Sequence, residues 1–388
     1  MRAWVRPIRR GWVVRDEVPG PDVDEFAEPD RVISALTGPS ARRGLLAVQH
    51  PHRTPEALAA NSSLADALPI ARRTLAELLR TAYRPIADVV APYIVDGPGG
   101  SAVGLLCLVD PAAVDPDGRT RIQHSEEVYP DVIADRAAAI AGLGCATSSA
   151  MLIPERGGDT LTEAIRTSIT GPAAVSTVDA AGRRHRLWLV GPGPVRDSLL
   201  TAAGASPLLV ADGNHRLAAA AAAGVDGLLA FLTAGPDVRI GAFHRVLTGT
   251  GLDADALVTA WRNAGLTVEV APPGTNPRTG EVIVRCPTST LRVPLPPPEP
   301  TEPRPRIDHA VVENLLLDKA LSLDPAGPHV HPLPAGRPAP PDADAVLSLA
   351  PVPLGDVFDV HADGRRMPRK STFFTPKPRS GLLLAELP

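Results

Sequence analysis

Residues 207–224, PLLVADGNHRLAAAAAAG, constrain this chain more than any other stretch, because they compress a strand, a polar turn and a helix into one unit. The apolar run 207–211 has strand length, Asp212-Gly213 is a turn dipeptide, and 217–223 is nearly pure alanine before Gly224. His215 and Arg216 then fall in the first helical turn, where backbone N–H groups without intrahelical partners and the positive end of the helix dipole favour an anion. Arginine adds a planar fork of donors suited to phosphate. Gly213 would let backbone approach a ligand closely, and Asp212 would serve as helix N-cap or as a carboxylate for Mg²⁺. The same residues also suit an ordinary capped helix whose His215 and Arg216 face solvent.

Composition narrows the class. The 388 residues carry a formal net charge of -4, which gives no overall electrostatic reason to expect nucleic acid. Proline, at 44 residues, is roughly twice its average usage and concentrates in stiff connections such as 294–305, PLPPPEPTEPRP. Lysine occurs only at Lys319, Lys370 and Lys377, so two of three fall in one C-terminal segment of an arginine-rich chain. Cys107, Cys145 and Cys286 have no paired spacing and read as reduced thiols. No run of 18 or more apolar residues free of charges occurs, and the N-terminal MRAWVRPIRRGW has no apolar signal core, so a cytoplasmic protein without membrane partners is expected. Walker, protein-kinase, dinucleotide-binding and nucleophile-elbow motifs do not occur.

Periodicity predicts a helix over 63–83 and a buried strand over 101–109. It also predicts a strand over 44–48, a strand over 240–246 ending in His244 and Arg245, and a helix over 307–321. His329-Val330-His331 has the spacing of a metal pair but no accompanying ligand cluster, and reads as loop. In the tail, 357–387, Arg365, Arg366, Arg369, Lys370, Lys377 and Arg379 interleave with Phe373 and Phe374, and GLLLAEL reads as a docked strand. The fold class expected is α+β with a mixed sheet. A main body, 1–250, would carry the box, with a C-terminal portion, 251–388, packed on it.

The run 211–216, Ala-Asp-Gly-Asn-His-Arg, followed by alanines, resembles the ADGHHR signature of the uncharacterised family called domain of unknown function 1015. Two further stretches resemble that family: MPRKSTFFTPK (367–377) followed by Ser380-Gly381-Leu382, and Phe243-His244-Arg245-Val246. The family in turn is distantly similar to the ParB, sulfiredoxin and free serine kinase group, whose corresponding box binds nucleotide phosphates. Gap-free alignment puts Glu126 on the family's Glu, Asp135-Arg136 on its Asp-Arg, and Ser125 on its His, with His124 one place off. Arg31 stands where the family has Asp, with Asp30 beside it, and Asn214 replaces the first box His.

The resemblance implies a nucleotide site. Asp212, His215 and Glu126 are its expected catalytic groups, with Asp212 also the Mg²⁺ ligand. Gly213, Asn214, His215, Arg216, Arg136, His244, Arg245, Lys370, Ser371 and Thr372 are the expected contacts to ATP or ADP, or to CTP. The implied function is a nucleotide-dependent phosphotransferase of the free serine kinase type, acting on a small hydroxyl metabolite. The alternatives are a ParB-like nucleotide-binding regulatory protein and a catalytically degenerate member, since asparagine contacts phosphate but does not shuttle protons.

Overall fold

Runs of apolar residues longer than a half-buried strand needs bury on both faces, and here they build a mixed sheet. The strand Gly100–Val109 is buried from 102 to 109. It pairs antiparallel with Leu228–Pro236 on one side and Ala91–Gly97 on the other. A Cβ on Gly104 would lie 2.3 Å from the Phe231 ring and 2.5 Å from the Leu232 carbonyl, so only glycine fits there.

A computed structural model describes residues 3–23, 29–38 and 41–387, apart from the side chains of Arg42 and Asp131. The chain divides into two units: Met1–His124, Val128–Val238 and Pro376–Pro388 form the first, and Ser125–Glu127 with Arg239–Thr375 the second. Helices alternate with mixed sheets, an α+β fold.

Among the described residues the first unit holds a nine-stranded sheet and a four-stranded one. In the larger sheet Leu208–Asp212 lies parallel to Ile122–Gln123 and antiparallel to Ala150–Pro154, which is itself parallel to Leu228–Pro236. The helix Leu64–Thr81 starts on a reciprocal cap in which Ser63 Oγ accepts from Asp66 N and the Asp66 carboxylate accepts from Ser63 N. It buries Ala67, Ala71, Leu75 and Leu78, the helical spacing read in the sequence.

One local expectation differs from the structure. Residues 45–48 are not a strand but lie in the helix Leu45–Gln49, with Gly44 at its N-cap; Arg31 lies on the helix Pro29–Leu36. Leu45, Leu46, Ala47 and Val48 are all buried, and a short run that is apolar on every side carries no period to tell helix from strand.

The second unit is built on a six-stranded antiparallel sheet, with Phe243–Thr248 between Ala343–Ser348 and Val330–Pro334. The helix expected over 307–321 is one α-turn, Asp308–Val311, continued as a π-helix, Val312–Lys319, in which the Leu316 carbonyl accepts from the buried Trp261 indole at 3.1 Å. His329 and His331 both turn to Thr248, at 3.0 Å to its carbonyl and 2.9 Å to its hydroxyl.

The partition expected at residue 250 therefore differs from the observed one at both ends, for a reason of hydrogen bonding. The strand carrying His244 and Arg245 is laced into the second unit's sheet, and the terminal strand Leu383–Glu386 pairs with Ile8–Val14 and Cys145–Ala146 in the first. Among the described residues no helix is long and apolar enough to cross a membrane.

Candidate functional site

The box forms where the strand Leu208–Asp212, next to the edge of its sheet, ends and the helix Asn214–Ala222 begins. Gly213 makes the turn at φ +105. A Cβ there would stand 2.8 Å from Arg216 Nε and 3.1 Å from Ala150 Cβ. The positive φ favours glycine here, and the chain's own Arg216 folds back over it. Arg216 Nη2 pairs with Asp212 Oδ2 at 2.5 Å, and its Nη1 donates to the Ser149 carbonyl.

Asp212 does not cap the helix: Gly213 holds the N-cap position and no side chain caps it. Its carboxylate gathers a second cation, with Lys377 Nζ 2.5 Å from Oδ1. Two cations, Arg216 and Lys377, thus meet one carboxylate near the N-terminus of the box helix. All three side chains are partly shielded, at 9 % exposure for Arg216, 24 % for Asp212 and 21 % for Lys377. Lys377 is held there by its segment, in which Gly381 O accepts from the buried Tyr83 hydroxyl at 2.8 Å and Arg379 N donates to the Tyr93 hydroxyl at 3.1 Å.

His215 is fixed by Tyr129, whose backbone N–H donates to His215 Nε2 at 3.2 Å while the two rings stack 5.4 Å apart. In the neutral ring the proton then sits on Nδ1. Asn214 is buried, and its Oδ1 meets His124 Nδ1 at 3.3 Å. An imidazole one place off its expected position therefore reaches the box position where asparagine stands. Arg136, on the helix Pro130–Leu143, lines a cavity of about 260 Å³ together with Arg216.

The remaining expected residues belong to the second unit. Glu126 bridges to Met367, Met367 N donates to the Ser125 carbonyl, and Glu126 Oε1 accepts from Thr372 Oγ1 at 3.0 Å. Two motifs some 240 residues apart in sequence are thus brought together. Ser371 is buried and donates to the Pro368 carbonyl at 2.7 Å. Lys370 adopts a positive φ of 47, and its carbonyl and that of Arg369 accept from Arg245. Arg245 also grips Glu313 Oε1 through Nε at 2.9 Å and Nη2 at 2.6 Å. His244 Nδ1 accepts from Leu349 N, and burial, aided by the Arg285 and Arg245 charges, holds its pKa below the ordinary histidine value. The lysine beside Asp212 is Lys377, where sequence reasoning favoured Lys370; the shared scarcity of lysine gave no means to choose between them.

These residues do not build a resident Mg²⁺ site. Asp212 is engaged by two cations, and among the described residues no group of three or more His, Cys, Asp or Glu could hold a metal.

Residues 93–302, more than half of the chain, match the profile of the family described as "Protein of unknown function (DUF1015)". The chain belongs to this family. No curated protein matches it. Among solved structures it is similar to a conserved hypothetical protein from Pyrococcus furiosus, at 12% identity and a TM-score of 0.38, covering 71% of this chain and 93% of that one. A free serine kinase in complex with AMP gives 13% identity and a TM-score of 0.39, covering 71% and 92%. SbnI with C-terminal truncation from Staphylococcus aureus gives 14% identity and a TM-score of 0.42, covering 72% and 87%.

Proposed function

We propose that this family member binds a nucleotide at the box of its first unit and transfers a phosphoryl group to the hydroxyl of a small metabolite, the free serine kinase type of reaction. One observation carries this reading: the Asp212 carboxylate lies between Lys377 and Arg216 at the N-terminus of the box helix. A nucleotide phosphate competes for the same cations and draws Lys377 from Asp212. The freed carboxylate is then a base for the acceptor hydroxyl.

In the transfer, the acceptor oxygen forms a bond to the terminal phosphorus as the bond from that phosphorus to the bridging oxygen breaks. The nucleoside diphosphate leaves with the electron pair, and the hydroxyl proton passes to Asp212. Lys377, the helix N-terminus and the Nδ1–H of His215 neutralise the charge spread over the phosphoryl oxygens.

A second reading is favoured by Asn214, whose amide, set against His124, binds phosphate without moving protons. It makes the protein a nucleotide-binding regulator. Phosphorus NMR of the full chain with ATP and Mg²⁺, in the presence of serine, threonine or glycerol, separates the two. The kinase reading predicts a new phosphomonoester signal with matching ADP. Nucleotide binding without that signal selects the regulator, and no binding of ATP, ADP, CTP or GTP overturns both.

A further inference from the structure

We propose that the cavity in the first unit is a binding site for a small organic anion, a carboxylate or phosphate headgroup on a short aliphatic body. The proposal needs neither a nucleotide nor Lys377, and it shares Arg136 and Arg216 with the residues expected to contact nucleotide.

The cavity, about 260 Å³, is amphipathic. Val132, Ala139, Ile140 and Leu143, recurring at helical spacing on Pro130–Leu143, give it an apolar wall. At its polar side stand Arg53, Arg136, Asp135 and Arg216, the last already paired with Asp212. A cavity with apolar walls and a few convergent polar groups is the usual form of a small-molecule site.

Arg53 points to an anionic ligand. It is half-buried, and burial holds its pKa below the ordinary arginine value, against the more distant Asp30 charge. Among the described residues no carboxylate forms an ion pair with it; its Nε instead donates to His52 Nε2 at 3.3 Å. His52 is kept neutral by burial and by the Arg53 charge, so it acts as the acceptor that orients the guanidinium fork. A half-buried cation whose opposing charge, Asp30, is not in direct contact gains from an anion bound beside it. The aliphatic body of the same ligand then covers the apolar wall.

Calorimetric titration of the full chain with hexanoate, butyl phosphate, inorganic phosphate and butanol tests this. Hexanoate or butyl phosphate should bind one per chain, the tighter of the two identifying the headgroup, with inorganic phosphate and butanol each about tenfold weaker or more. Arg53→Gln should weaken the binding by about tenfold, the loss of one charge-assisted contact. Ala139→Phe fills the cavity with every charge retained, and should abolish binding while leaving the melting temperature within about 2 °C; it decides the matter alone if Arg53→Gln does not fold. Failure of both amphiphiles to bind, equal binding of butanol, or binding unchanged in Ala139→Phe would overturn the proposal.

Discussion

Two His-Arg pairs in this chain, His215-Arg216 and His244-Arg245, follow an apolar strand segment or lie within one, and the structure uses them in opposite ways. Arg245 is 3 % exposed and spends its donors on Glu313 and on the carbonyls of His244, Arg369 and Lys370. Its charge is matched by one carboxylate and its fork by fixed backbone, which makes it a fastener for the segment that carries the MPRKSTFF motif. Arg216 shares its carboxylate, Asp212, with a second cation, Lys377, at a helix N-terminus. A dipeptide therefore says little about role; what separates the two is which groups share the carboxylate that each arginine meets.

The comparison can be broken from either side, beginning with the largest effect. Arg245→Met leaves Glu313 and two tail carbonyls without their donor, and should cost about 3–5 kcal/mol in urea unfolding of the second unit followed by hydrogen exchange. A loss below about 1 kcal/mol would mean that the fastener role is wrong.

Gly213→Ala forces a side chain into a positive-φ turn and against the Arg216 guanidinium. It should cost about 1–3 kcal/mol, measured as a lower denaturation midpoint, while the sterically open Gly224→Ala pays for its φ of 66 alone.

Acid should weaken the second unit. His309 is buried with Nε2 2.9 Å from the Phe243 carbonyl, and burial, with the Arg245 charge, lowers its pKa from 6.5 to about 3. Above pH 6.5 both folded and unfolded chains hold it neutral. As the pH falls below that value the unfolded chain takes the proton first, so stability is lost down to about pH 3, at up to about 1.4 kcal/mol per pH unit. His309→Gln should flatten that part of the stability profile, and an unchanged slope would count against it.

Smallest is the effect of Lys377→Met on stability, about 0.5–1 kcal/mol, because the partly exposed Asp212 keeps Arg216. A much larger loss would make Lys377 a second fastener and erase the contrast.

The strand, turn and helix of the box were legible because each local signal agreed: an apolar run, a glycine, then alanines ending at another glycine. The docked C-terminal strand was legible too, since two phenylalanines and GLLLAEL are costly to leave in water. What each polar group touches was not. The approach of Lys377 to Asp212, of Thr372 to Glu126 and of His124 to Asn214 are contacts of high sequence separation, set by sheet register that composition does not encode. The neighbour of Gly213 was hidden for the same reason: it is the side chain of Arg216 on its own helix, held back by Ser149 O and Asp212.

The most direct measurement is a calorimetric titration of ATP with Mg²⁺ into the wild-type chain and Lys377→Met, run beside their melting curves. If the two cations at the box form a phosphate site, the variant should bind at least about tenfold more weakly, with a melting temperature within about 2–4 °C of wild type. Equal affinities in the two proteins, or no binding to the wild type, would contradict the assignment of the box as the nucleotide site.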